Sequence, residues 1–547
     1  MRASLASTAP PAPHNLPAPL VDIDLWRTDP VLRAAVAREG GGWIEARAEA
    51  LGRFVGSVEM QTLAREANEH APVLQNYDRN GERIDLVHYH AAYHRLMQAA
   101  FGAGLHSLAW KETRTGRFVA RAALNYLWNQ GEQGTACPVT MSFAAVHVLR
   151  GAPAIAAHWE PKLLTDDYDP RPLPMQEKRA LTVGMAMTEK QGGSDLRANT
   201  TVATPVEGDE HVLEGHKWFC SAPMSDGFLT LAQRAEGPTC FFVPRVLPDG
   251  RRNFALVRLK DKLGNRSNAS GEIEYRGTRA WRVGEPGRGI ATLIEMAHLT
   301  RFDIVVAVAG MMRAALVQAL HHTRHRRAFG EALIDQPLMR NVLADLALEC
   351  EAATLLAFRL AGAFDRTQTD EREQHYARLV TPIAKYWLCK RLPVYIVEAL
   401  ECFGGNGYVE DWPMARLYRE APLNGLWEGS GNVICLDVLR AIAKTPRALE
   451  AVYEELAPLS VAHAPLARHL ALLWGTLRNQ PVALREARRI TEGLALALQA
   501  ALLARHAPPE TAEAFIATRL DGEGGRAFGT LPERFDCGAI VARALAC

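Results

Sequence analysis

The chain has 547 residues, with 62 Lys and Arg against 61 Asp and Glu and a hydrophobic fraction of 48%. That length accommodates three or four structural units and can bury its cores without disulfide or metal staples. The near-neutral balance removes any broad electrostatic attraction to nucleic acid or an anionic membrane. Nine scattered cysteines with no C-x-x-C pair imply neither a disulfide framework nor a zinc ribbon, and fit a reducing cytoplasm.

The first twenty residues, rich in Pro and Ala, read as a flexible arm without the apolar stretch of a signal peptide. No run reaches the roughly 18 uncharged apolar residues of a membrane helix, so no membrane partner is expected. From 21 to 180 the period is mostly helical: Val58, Leu63 and Ala67 recur at helical spacing, as do His94, Met97 and Phe101. Pro138 and Pro153 interrupt it, and Pro161 to Pro174 reads as a loop.

Between 181 and 289 the pattern becomes short β-prone runs, such as His211 to Leu213, Cys240 to Val243 and Phe254 to Leu259, separated by Gly-bearing turns. This predicts a compact antiparallel β domain set between helical blocks. Helical periodicity returns over 290–445, with an apolar stripe through Ile294, Ala297, Ile304, Val308 and Met311 and long helices over Leu338–Phe358 and Thr381–Leu400. Thr445 and Pro446 mark a boundary, and 446–547 reads as an Ala- and Leu-rich helical domain.

No G-x-x-x-x-G-K-[ST] and no strand–GxGxxG–helix unit is present, so the usual nucleotide cradles are absent. Three segments carry chemistry instead. Met185 to Thr201 reads MAMTEKQGGSDLRANTT, a polar loop whose glycines allow close approach to a flat ligand and whose Thr188 and Ser194 can hydrogen-bond it; a simple capped turn is the alternative. His216 to Pro223 reads HKWFCSAP, one wall of a ring pocket or an ordinary buried strand. Trp427 to Asn432 reads WEGSGN and sets Glu428 in a Gly-rich turn, where desolvation would make it a stronger base; an acidic loop leading into a helix is the alternative. His88, His90 and His94 lack a cysteine or paired carboxylate nearby, and no metal site is expected.

In this order, with FGGNGY between the second and third, these segments resemble the acyl-CoA dehydrogenase family of flavoproteins, most closely its AidB (alkylation response) branch. The resemblance covers about 20–444, and the AidB branch also accounts for the helical domain after it. It implies a mainly α fold with an inserted β domain, an extra C-terminal helical domain, and FAD bound without a Rossmann fold. It places Met187, Thr188, Gly193 and Ser194 around the flavin, with Trp218, Phe219, Cys220 and Ser221 as the adjoining wall. Cys220 takes the position that faces the ring's reactive nitrogen, with Ser221 as the neighbouring hydroxyl. Trp427, Gly429, Ser430 and Asn432 would complete the site. Arg326 would reach the pyrophosphate across a subunit boundary, joined by Gly404 and Gly405. Glu428 would be the base that removes the α-proton of an acyl thioester.

The resemblance further implies a homo-oligomer, with a tetramer favoured, and sequence-nonspecific binding of double-stranded DNA by the C-terminal domain. Residues 441–547 hold 12 Lys and Arg against 11 Asp and Glu, so any phosphate contact needs local clustering. Arg485, Arg488 and Arg489 fall at i, i+3 and i+4, and Arg519 is a further candidate. The alternative is a metabolic acyl-CoA dehydrogenase whose last domain serves assembly alone.

Overall fold

Capping signals place the first helices. In this structure, a computed structural model describing residues 15–478 and 482–545, Asp29 accepts from Leu32 N–H to open α1 (Pro30–Arg38), and Ser57 does the same for Met60. Between and after them run α2 (Glu45–Val55) and α3 (Val58–Glu69). A hairpin that the helical reading did not anticipate follows, β1 (Val73–Tyr77) and β2 (Arg83–His88). Then come α4 (Ala91–Gly102), α5 (Leu108–Lys111), α6 (Arg117–Gly131), α7 (Ala136–Leu149) and α8 (Pro153–Leu163). Pro138 and Pro153 lie in the first turns of α7 and α8, where a missing N–H costs little. They start helices here; they do not interrupt them.

The β domain comprises β3 (Val183–Ala186), β4 (Val202–Glu207), β5 (Glu210–Ser221), β6 (Gly227–Arg234), β7 (Gly237–Pro244), β8 (Ala255–Leu259) and β9 (Ser270–Val283). Strand β5 pairs with β4 and β9, β9 with β7, and β7 with β6, which bridges back to β4 at Val202/Gln233. The pairings therefore close on themselves around an apolar interior of Leu213, Phe228, Phe241 and Tyr275. The sheet is not purely antiparallel: β3 runs parallel to β6, because the chain enters it directly from the helical domain.

Helix α9 (Gly289–His325) is the axis of the bundle. A two-residue hairpin, β10 (Arg327–Ala328) and β11 (Glu331–Ala332), turns the chain into α10 (Pro337–Arg366), α11 (Glu371–Glu401), α12 (Pro413–Glu420) and α13 (Gly431–Lys444). By length and composition α9, the helix of the Ile294–Met311 stripe, could cross a membrane, which the search for an uncharged apolar run did not anticipate. However, 78% of its most apolar window is buried within the protein, and it carries Arg301, Asp303 and Arg313.

The last helices are α14 (Pro446–Ser460), α15 (Ala464–Arg478), α16 (Ala487–His506), α17 (Pro509–Arg519) and α18 (Cys537–Leu545). They share one continuous apolar core with the bundle and the N-terminal helices, so this segment is not an independent packing unit. A buried charge cluster joins it to the bundle. Arg359 on α10 pairs with Glu373 at 2.8 Å and Glu455 at 3.2 Å, and Glu455 also takes Arg505 at 2.8 Å. Burial opposes ionisation of Glu455, but the two guanidiniums outweigh it and hold its carboxyl down to about 2. Glu455→Gln leaves buried arginines undercompensated, and urea unfolding at pH 7 should show a loss of about 3 kcal/mol. Because the folded pKa is depressed, that contribution is complete above the ordinary carboxylate range and is lost as pH falls toward about 2. The variant should therefore show a correspondingly smaller acid-induced loss.

The arm expected over 1–20 is described only from Asn15. Residues 15–20 lie against the end of α9: Asn15 exchanges hydrogen bonds with Arg327, and Ala18 O lies 2.8 Å from His321. Residues 1–14 lie outside the described residues.

Candidate functional site

The loop bearing Thr188 and the strand bearing Trp218 are brought together by an ion pair with no exposed surface. Glu189 meets Lys217 at 2.7 Å, takes hydrogen bonds from Thr200 and Thr201, and Lys217 also donates to Leu231 O. Burial works against the Glu189 carboxylate, yet Lys217 and these donors prevail and hold it at about 2. With the loop anchored there, Trp218 N–H donates to Thr188 O at 2.8 Å. A methyl group at Gly193 would collide with the Thr188 hydroxyl, so the loop's second glycine is needed for its closure. Met187 and Thr188 are half-buried, and Ser194 is exposed at the rim.

The third segment reaches the same place through α7. The Glu428 carboxylate and the Ser221 hydroxyl both act on the buried Cys137 thiol of that helix, the first raising and the second lowering its pKa. Burial, in the main, pushes that thiol up to about 12. Glu428 has a left-handed backbone (φ 56°), costly for a residue with a side chain. Two cations hold it there. Arg301 donates to Glu428 O at 2.8 Å, and Lys385 donates to Trp427 O at 3.0 Å and Gly429 O at 2.6 Å. Arg301 is braced in turn by Asp437 at 2.9 Å, which also takes Arg378.

The Glu428 carboxyl is raised above its ordinary value by burial, opposed in part by the Thr300 hydroxyl, Arg301 and Lys385. Its Oε2 is buried without a partner, as is Trp427 Nε1. Buried polar atoms without a protein partner leave hydrogen-bonding capacity that a bound group can use. Ser430 opens α13, and Asn432 in its first turn accepts from Arg488 of α16 at 2.8 Å.

Several expectations are corrected. Cys220 does not face the site: a bulge between Lys217 and Cys220 turns it into the barrel interior, where it is fully buried, and Ser221 takes the outward position toward Cys137 and Ser270. Phe219 is half exposed beside Lys260, whose ammonium lies 3.2 Å over the Trp218 ring. Arg519 is turned inward onto Asp345 and Glu349, so it offers no charge to a surface ligand. Arg488 sits with Asn432 at the site, whereas Arg485 and Arg489, 86% and 70% exposed, lie beside Glu486.

Arg326, Gly404 and Gly405 form a separate group. The His322 ring packs at a tilt against Phe403, centroids 4.4 Å apart, which joins the end of α9 to the glycines, and both glycines face open space. Arg326 lies about 39 Å from Thr300 along α9, at about 1.5 Å per residue. His90 caps α4 and stacks on His70, and no group of metal-ligating side chains occurs among the described residues. A cavity of about 210 Å³ lies beyond Pro138 and Ala222, lined also by Tyr89, Tyr93, His94 and Tyr168.

Sequence reading missed Arg301, Lys385, Thr300, Cys137 and the Glu189–Lys217 pair. The last had a signal, an acid in the first motif and the single lysine of the second; the others sit in helices, where nothing in the pattern separates them from solvent-facing or core residues. Lys385→Met should lower the unfolding free energy by about 1–3 kcal/mol in urea, since two carbonyls lose their donor. It should also move the Glu428 carboxyl titration, followed by ¹³C NMR, to higher pH by removing a stabilising positive charge.

Family models match the chain over three stretches: the adaptive response protein AidB N-terminal domain over 15–170, the acyl-CoA dehydrogenase middle domain over 184–278, and the acyl-CoA dehydrogenase C-terminal domain over 287–443. The chain is 46% identical over 514 residues to the putative acyl-CoA dehydrogenase AidB of Escherichia coli (strain K12), covering 93% of this chain and 94% of that one. It is 32% identical over 403 residues to acyl-CoA dehydrogenase family member 11 of Caenorhabditis elegans, covering 70% and 64%. Among solved structures, Caenorhabditis elegans ACDH-11 in complex with C11-CoA superposes with a TM-score of 0.85 at 27% identity, over 95% of each chain. An acyl-CoA dehydrogenase from Bacillus anthracis complexed with FAD shares the fold, with a TM-score of 0.68 at 17% identity over 88% and 86%. With the unpartnered atoms of Glu428 and Trp427 fitting a flat, hydrogen-bonding cofactor, the chain belongs to the acyl-CoA dehydrogenase family, in its AidB branch, as an FAD-dependent oxidoreductase acting on CH–CH bonds.

Proposed function

We propose that the site dehydrogenates an acyl thioester at its α and β carbons, with Glu428 as the base. The observation that carries this reading is the buried, unpartnered Glu428 Oε2, held on a turn that cannot drift because Arg301 and Lys385 grip its carbonyls. FAD, when bound, accepts the hydride from the β-carbon. Met187, Thr188, Trp218 and Ser221 would hold the ring, and Ser221 supplies the hydroxyl on its wall. Glu428 takes the α-proton, and closure of the pocket by Trp427 and Cys137 keeps water from competing for it. Under anaerobic conditions an acyl-CoA should bleach the flavin band. Glu428→Gln should slow this by about 10²–10⁴-fold, the usual worth of a positioned base. Because the base works only when ionised and its pKa is raised, bleaching should accelerate as pH rises through a value above the ordinary carboxylate range. Undiminished bleaching in the variant would refute the assignment.

The same reading makes the protein a homo-oligomer, with a tetramer favoured. Arg326, Gly404 and Gly405 stand too far along α9 from Thr300 to serve the same cofactor molecule within one chain, so a second copy would supply them. Phe329, 99% exposed at the adjacent turn, is consistent with burial there.

A second reading, suited to the AidB branch, adds sequence-nonspecific contact with double-stranded DNA in an alkylation response in the cytoplasm. It is favoured by the exposed Arg485 and Arg489. The double variant Arg485→Ala/Arg489→Ala should weaken duplex binding and reduce the salt-dependence slope by about 2. An unchanged slope would leave dehydrogenation as the sole activity.

A further inference from the structure

Residues 15–22 run as a strap from the end of α9 to α3. Asp22 Oδ1 takes the Val58 N–H at 3.1 Å, Leu20 O accepts from Gln61 at 2.7 Å, and Ala18 O lies 2.8 Å from His321 Nε2. Pro17 and Pro19 flank Ala18 and restrict the unfolded chain, which lowers the entropy cost of laying the strap down. At its far end Asn15 meets Arg327 twice: its Oδ1 takes the Arg327 N–H at 2.6 Å, and its Nδ2 donates to Arg327 O at 2.8 Å. These two contacts hold Asn15 at φ 78°, a left-handed backbone that asparagine tolerates better than most residues. In that conformation the Asn15 carbonyl accepts a hydrogen bond from Arg326 Nη1.

That bond uses one of the several donors of the Arg326 guanidinium. Its acceptor is uncharged, and no carboxylate pairs with Arg324, Arg326 or Arg327 among the described residues. A guanidinium held by a carbonyl keeps its whole charge and its remaining edge for an anion, whereas one held by a carboxylate would be neutralised. We propose that the strap preorganises Arg326 for a phosphate anion, with Asn15 as a positioning residue for the pyrophosphate of the cofactor. This rests on the reading above in which Arg326 serves FAD held by a second copy. A free surface arginine loses rotamer entropy when it grips a phosphate. The strap removes that loss before binding, which is worth about three- to tenfold in affinity for one immobilised side chain.

The test follows release of FAD from the FAD-bound protein on serial dilution, by recovery of flavin fluorescence, while light scattering reports assembly at the same concentrations. Asn15→Gly permits the left-handed backbone but removes both side-chain contacts with Arg327. It should raise the dissociation constant for FAD about three- to tenfold, with assembly retained. Arg326→Ala should raise it by more than about tenfold. Adding Asn15→Gly to Arg326→Ala should change the constant by less than about twofold, because the strap then has no guanidinium to orient. If Arg326→Ala releases FAD and Asn15→Gly holds it as tightly as the unaltered protein, the strap alone is overturned. An effect of Asn15→Gly that is equal in both backgrounds, or that comes with loss of assembly, makes Asn15 a structural residue and likewise overturns the strap. Full retention of FAD by Arg326→Ala overturns the pyrophosphate reading and the strap together.

Discussion

Two positive charges gripping three consecutive carbonyls are what the site depends on. Arg301 and Lys385 come from α9 and α11, far apart in sequence, and converge on the backbone of Trp427, Glu428 and Gly429. Left-handed backbone at Glu428 would relax in a free loop. Here it persists because straightening the turn would take one acceptor from Arg301 and both carbonyls from the buried Lys385, which costs more than the strain. The same cations lend the carboxylate some electrostatic support without touching it, so the turn's geometry and the carboxyl's acidity come from one arrangement.

Buried ion pairs recur where this chain must register one segment against another. Glu189 and Lys217 set the first loop on the barrel wall, Arg121 and Asp303 tie the N-terminal helices to α9, and the Arg359 cluster seats the C-terminal helices on the bundle. Such pairs contribute little net stability against an apolar replacement, but removing one partner is expensive. They therefore act as registration devices: apolar surfaces tolerate sliding, whereas a guanidinium with its carboxylate does not. A site assembled from a loop, a strand end and a helix-preceding turn needs that precision.

The continuity of the apolar core past Thr445 alters how the last hundred residues are understood. Helices α14, α16 and α18 lie on α10 and α11 and share their core, and Arg488 of α16 reaches Asn432 beside the Glu428 turn. Whatever this segment binds, it is coupled to the site by direct contact. Its removal would uncover the bundle as well as delete a surface.

Sequence by itself determined the helix–β–helix–helix order and the three motifs, because periodicity and glycine-bearing polar loops are local properties. Glu428 was legible as the candidate base for the same reason: a carboxylate in a WEGSGN turn needs no distant information. What only the tertiary structure decided was which side chains face the site. A bulge after Lys217 sends Cys220 into the barrel and presents Ser221, and strand alternation alone cannot foresee a bulge. Arg301, Lys385 and Asp303 read as unremarkable helix residues, and Arg519 as a surface cation. Their roles follow from which helices meet, and that is set by non-local packing of apolar faces, which no window of sequence contains.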